Sequence, residues 1–293
     1  MTLSSILLIL ASAVLHSCWN LITKRGNWPI AFFFWVFLSG TFLYLPLLIG
    51  LGFSLSSLLG TFTKLWWIVI LSGLFETIYF ISLVEAYQVG DLSFVYPISR
   101  SAPIFTQFWA MLFIGEVLSL KGTLGIVLVV FGLFVISLKD FRLTQRIPSL
   151  VQLNSRPCLL ALTAAIASSI YSVIDKMGVQ VVHPVFYLWL VNLWMTVDTG
   201  IYLVFMKKRS SLSVWHGSKK EILFVTLFQN GAYLLILMAL QMSKVSYVVA
   251  FRQVGALFGA LMGILLLKES HWKPRILGAL ILTLGLVLIG LAK

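Results

Sequence analysis

Long apolar runs, each interrupted by only a few polar positions, recur ten times along this chain. They cover roughly Leu3–Thr23, Ile30–Leu51, Trp66–Gln88, Leu92–Ile114, Gly122–Leu138, Cys158–Met177, Pro184–Met206, Ile222–Met242, Val245–Leu267 and Ile276–Leu291. The runs are continuous and lack the period-two alternation of strands, so they predict helices rather than a barrel. At ~1.5 Å per residue most are long enough to cross ~30 Å of hydrocarbon. The fifth and tenth are short and are expected to stand nearly upright in the bilayer.

The pattern also repeats residue by residue. Glu76 to Leu138 aligns with Gln229 to Leu291 without a gap. Ala86 falls on Ala239, Gln88 on Gln241, Ser93 on Ser246, Glu116 on Glu269, Gly125 on Gly278 and Gly132 on Gly285. Further back, with a slip of one residue, Trp19-Asn20 and Lys24 meet Tyr171-Ser172 and Lys176. Each copy holds five spans, and an odd number makes the second copy enter the membrane from the opposite side. The expected fold is therefore an all-α membrane protein of ten transmembrane helices, built as two inverted five-helix repeats. The repeats occupy residues 1–138 and 158–293, with a loop at 139–157 between them. Inverted repeats of this kind belong to alternating-access transporters.

Composition agrees with a chain whose solvent is lipid. Hydrophobic residues make up 60% of it and charged residues 10%, and the mean hydropathy is +1.03. Loops are short, so there is no room for a nucleotide-binding engine. Energy is expected from an ion gradient, an exchange partner or the substrate's own gradient. The net charge of +12 does not signal nucleic acid, because the cations sit in membrane loops. Counted from an N-terminus on one side, that side holds five Lys and Arg residues and the other fourteen. The richer side is expected to face the cytoplasm, which places both termini outside a bacterial-type plasma membrane. Cys18 and Cys158 form no disulfide pattern, and four scattered His residues make no metal site. No nucleophile–base motif is visible, so no catalytic residue, metal or cofactor is expected.

Charged groups inside the spans carry the candidate chemistry, since each needs a partner or water. Glu76 lies deep in span three, Arg100 in span four and Arg252 in span nine, one position from Gln253, the repeat counterpart of Arg100. One arginine from each half, facing a shared hollow, suits a carboxylate, phosphate or phosphonate. The alternative is that Arg100 only neutralises Glu76 as a structural pair. A carboxylate in a low-dielectric site is easier to protonate, which makes Glu76 the candidate for proton coupling. Tyr96-Pro97 and Pro103 flank Arg100 and predict an interrupted helix there. Span nine lacks both prolines, so the site is expected to be asymmetric. Trp19, Asn20, Tyr79, Tyr171, Gln229, Asn230 and Tyr233 add polar and aromatic surface that is costly toward lipid and is expected to point inward. His16 is expected as a satisfied interior group, and Asp175, beside Lys176, as an interfacial anchor. Asp198 could face the cavity or bond a neighbour. The paired glycines at seven-residue spacing are expected to pack helices closely.

With its ten spans, two five-span repeats, Trp19-Asn20-x-x-x-Lys24 end of span one and Gly115-Glu116 and Lys268-Glu269 turns, the chain resembles an EamA-type carrier of the drug/metabolite transporter superfamily. The resemblance covers essentially the whole chain. It implies export of a small metabolite or drug, driven by protons or exchange. It also implies a central cavity ringed by the first four helices of each repeat, with the fifth and tenth helices at the periphery. Relatives often have cytoplasmic termini, and the charge count here gives the reverse. The expected function is secondary transport of a small metabolite with an anionic group by a monomer in the bilayer. The rivals are a cationic multidrug exporter and a flippase of lipid-linked headgroups.

Overall fold

A computed structural model describes residues 1–25, 29–52, 55–138, 154–205, 211–258 and 272–292. Among these residues every regular element is a helix. The first repeat contributes α1 (Leu3–Arg25), α2 (Ile30–Gly50), α3 (Leu55–Val89), α4 (Leu92–Ser99), α5 (Ala102–Ile114) and α6 (Leu120–Ile136). The second contributes α7 (Arg156–Val181), α8 (Pro184–Phe205), α9 (Ser211–Met242), α10 (Val245–Phe251) and α11 (Trp272–Leu291). Six of them, α2, α3, α7, α8, α9 and α11, contain a stretch long and apolar enough to cross a membrane. Large apolar side chains such as Phe108, Leu112, Phe131 and Val204 are exposed on the outside, where hydrocarbon would meet them.

The helices outrun their apolar runs where nothing stops them. α3 begins at Leu55 rather than Trp66, and α7 runs to Val181 rather than Met177. The expected fourth span is two helices, α4 and α5, parted at Arg100 and Ser101. The ninth starts as α10, is interrupted at Arg252 and Gln253, and resumes at Val254. Its later part at 259–267, the Lys268-Glu269 turn and most of the 139–157 loop lie outside the described residues.

Helices of one repeat pack chiefly on helices of the other. α6 lies on α11, α3 on α7, α1 on α9, α2 on α8 and α5 on α10. The α6–α11 contact is a glycine seam. A Cβ on Gly125 would come within 2.8 Å of the Gly285 carbonyl, and one on Gly132 within 2.8 Å of the Gly278 carbonyl. Residue numbers rise along one helix as they fall along the other, so the two run antiparallel. The same holds for α2 and α8, where Trp189 Nε1 donates to the Thr41 carbonyl at 3.0 Å while Gly200 faces Phe34.

Turns between helices are fixed by specific residues. Gly115 ends α5 in the left-handed conformation at φ 64°, which a side chain would resist. The next residue, Glu116, reaches across to the second repeat and accepts from the backbone N–H groups of Val245 at 2.9 Å and Ser246 at 3.2 Å. These are orphan donors at the start of α10, and the carboxylate caps them.

Candidate functional site

The breaks in α4–α5 and α10 meet at a buried cavity. Its wall is drawn from α1 through Ser12, His16 and Ser17, from α4 through Tyr96 and Arg100, and from the end of α10 through Arg252 and Gln253. Its volume is about 50 Å³, against the ~10–15 Å³ that one water requires. Both arginines thus border one space, one from each repeat. Each packs its guanidinium on a tyrosine: Arg100 Cζ is 5.5 Å from the Tyr96 ring centroid, and Arg252 Cζ is 5.8 Å from that of Tyr233. Such stacking holds a cation in place without neutralising it. Among the described residues neither arginine has an ion-pair partner, and Arg100 Nε is buried with no hydrogen-bond acceptor.

Glu76 is buried but does not border this cavity. The charged groups that act on it are Asp175 and Arg252. The groups acting on Arg100 are Tyr96, Tyr79, Tyr87 and Tyr171. A simple Glu76–Arg100 structural pair is therefore not what the side chains form. Tyr79, Tyr171 and Tyr233 meet edge to face, with ring centroids 5.8 Å apart for the first pair and 6.3 Å for the second.

Asp175 corrects the sequence reading. It is no interfacial anchor: its exposure is 0%, and it accepts hydrogen bonds from Ser72, from Tyr187 at 2.8 Å and from Tyr233. Lys176 turns elsewhere and donates to the carbonyls of Leu240 at 2.5 Å and Ser243 at 3.2 Å. The local chain explains the arrangement. Ser168, Tyr171, Ser172 and Asp175 follow three- and four-residue spacing and share one face of α7. Gly178, one turn on, gives Tyr187 its place, because a Cβ there would lie 2.1 Å from the tyrosine ring.

Other expected residues are dispersed. Asn230 serves the packing of α8 on α9: its side-chain oxygen accepts from Asn192 Nδ2 at 2.6 Å, and its Nδ2 donates to the Thr226 carbonyl at 2.9 Å. Gln229 is buried with its Oε1 unpartnered. Trp19 Nε1 donates to His16 Nδ1 at 3.3 Å, which turns the His16 ring within the cavity wall. The side chain of Asn20 lies outside the described residues. Asp198 is half-buried, and its Oδ2 has no partner among the described residues.

A family model matches this chain twice, over residues 3–138 and 155–291, and its description is EamA-like transporter family. The chain belongs to that family. The two matches are the two repeats, so the molecule is a multi-pass membrane protein with the two-repeat EamA fold. Among 28 solved chains with a similar fold, one crystal structure superposes on 99% of this chain and 98% of its own, with a TM-score of 0.76 at 14% identity. At that identity the likeness shows the fold alone. No curated protein matches this EamA-like chain.

Proposed function

We propose that this protein is a secondary transporter of a small metabolite bearing an anionic group, and that it works by alternating access between two inverted five-helix halves. The observation that carries the reading is the pair of arginines. Arg100 and Arg252 come from different repeats, border one cavity, and lack an acidic partner among the described residues. The Arg100 guanidinium, with its Nε buried and unpartnered, is costly to hold inside the bilayer, and a substrate carboxylate or phosphate would supply two-pronged acceptors for it. The antiparallel run of α6 and α11 supports the inverted arrangement, since these are equivalent helices of the two repeats. Tyr96, Gln253 and His16 would shape the pocket with the arginines, and Tyr79, Tyr171 and Tyr233 would back it. Ten passes, export as the direction and both termini outside the cell membrane complete the reading.

A cationic substrate is the second reading, favoured by the buried carboxylates Glu76 and Asp175. One experiment separates the two. Purified protein is screened by thermal shift against a panel of small carboxylates, phosphates and organic cations, then rescreened as Arg100→Gln and Glu76→Gln. The proposal expects stabilisation by anions that Arg100→Gln abolishes. Stabilisation by cations alone, abolished by Glu76→Gln, would replace it with the second reading.

A further inference from the structure

The cavity wall holds one polar ring whose two nitrogens differ. His16 of α1 accepts at Nδ1 from Trp19 Nε1 at 3.3 Å, and the two rings meet edge to face with centroids 5.5 Å apart. Trp19 follows His16 by three positions, so both lie on one face of α1. An indole nitrogen can only donate, so Nδ1 of His16 carries no proton. The imidazole proton is therefore on Nε2, the polar atom the ring has left for the space it borders. Among the described residues no group accepts from it. The expectation of a satisfied interior histidine thus holds for one nitrogen and fails for the other.

Other polar side chains of the wall turn their hydrogens to the backbone. Ser12 donates to the Ala232 carbonyl at 2.8 Å, Ser17 to the Ala13 carbonyl at 2.8 Å and Gln253 Nε2 to the Val249 carbonyl at 3.3 Å. Three nitrogen donor groups on separate elements remain for a ligand: the Arg100 guanidinium, the Arg252 guanidinium and His16 Nε2–H. Among the described residues no acidic side chain borders the cavity.

Two guanidinium forks fill the lone-pair sites of a carboxylate. A carboxylate seated on both arginines would leave His16 without an acceptor, and an unmet donor shielded from water is costly. A phosphate or phosphonate head supplies the missing oxygen. Its charge of about −1.5 to −2 near neutral pH also matches the two guanidinium charges. The cavity has room for about four waters, which such a head can replace with its own oxygens. We propose that His16, fixed by Trp19 as an Nε2–H donor, is the third donor of the anion site and selects a phosphate- or phosphonate-bearing substrate over a carboxylate. The selectivity rests on the reading of the two arginines as an anion site; the tautomer of His16 does not.

The test titrates the full chain in micelles with methylphosphonate and with acetate by thermal shift, and records the nitrogen NMR spectrum of histidine-labelled protein. The wild type is expected to show a bare Nδ1 and a protonated Nε2 at His16, and to bind methylphosphonate at least ~10-fold more tightly than acetate. His16→Phe is expected to weaken methylphosphonate ~10-fold while leaving acetate within about twofold. Trp19→Phe keeps a ring at this position but removes the N–H. It is expected to release His16 into a mixture of tautomers and to weaken methylphosphonate alone, by a smaller factor. An equal loss for both anions in His16→Phe, or a proton on Nδ1 in the wild type, overturns the proposal, because a merely structural histidine would move both anions alike. If circular dichroism shows that His16→Phe is misfolded, Trp19→Phe decides, and an unchanged tautomer or equal losses there overturn the proposal. Failure of the anion reading registers separately: both anions then leave the wild-type melting temperature unmoved, which removes the selectivity with the site, while the histidine spectrum still shows the fixed tautomer.

Discussion

The repeats are most alike where they touch along the glycine seam and least alike where they break at their arginines. In the seam, Gly125 and Gly132 on α6 meet Gly285 and Gly278 on α11 at the same spacing, and backbone lies on backbone. At the breaks, the first repeat has Pro97 and Pro103 around Arg100, whereas the second has Ala250 and Ala256 around Arg252 and Gln253. Both helices are nonetheless interrupted at the matching position. Close packing leaves no freedom to vary a seam residue. A binding site needs only the interruption and can reach it by different residues. The prolines therefore reinforce a break that the surrounding packing already requires.

The comparison can be broken most severely at the seam. Gly278→Ala would put a Cβ 2.5 Å from the Ile136 backbone nitrogen and 2.7 Å from the Gly132 carbonyl, neither of which can swing aside. A loss of about 3 kcal/mol is expected by reversible unfolding in mixed micelles. Gly290→Ala, with no atom within 4 Å of the added Cβ, is the control and should change stability by less than ~1 kcal/mol.

At the breaks the expected effects are on binding. Arg100→Gln and Arg252→Gln should each weaken an anion identified by thermal shift by about 2 kcal/mol, or ~30-fold in Kd. Equal and negligible losses would leave the arginines with a packing role. The smallest effect is expected at the prolines. Pro97→Ala should alter stability by less than ~1 kcal/mol. It should also leave unchanged the distance between spin labels at Asp91→Cys and Phe108→Cys, since α10 breaks without a proline. A lengthened distance would show that Pro97 itself imposes the bend.

Periodicity and self-similarity carried the helices, the repeats and the glycine packing, because apolar length and residue spacing are local properties. Arg100 and Arg252 were legible as candidates because a charge in an apolar run is conspicuous. Asp175 was legible too, through its spacing from Ser168, Tyr171 and Ser172, yet its place beside Lys176 near the end of the expected span suggested an interfacial anchor. Adjacent residues on a helix point ~100° apart, so Lys176 says little about the surroundings of Asp175. Tyr187 could not be placed beforehand, since its approach depends on Gly178 in another helix. Asn230 pointed inward as expected but met Asn192, a partner that only the packing of α8 on α9 supplies.

Glu116 holds two amide hydrogens at the head of α10, close to where Ser243 meets Ser5 at 2.8 Å near the start of the chain. A motion that parts the two halves at this end must lift that carboxylate off and hand both hydrogens to water. Losing a cap costs ~1 kcal/mol, less than twice the thermal energy. If the proposed transport cycle parts the halves at this end, the latch it has to release is a light one.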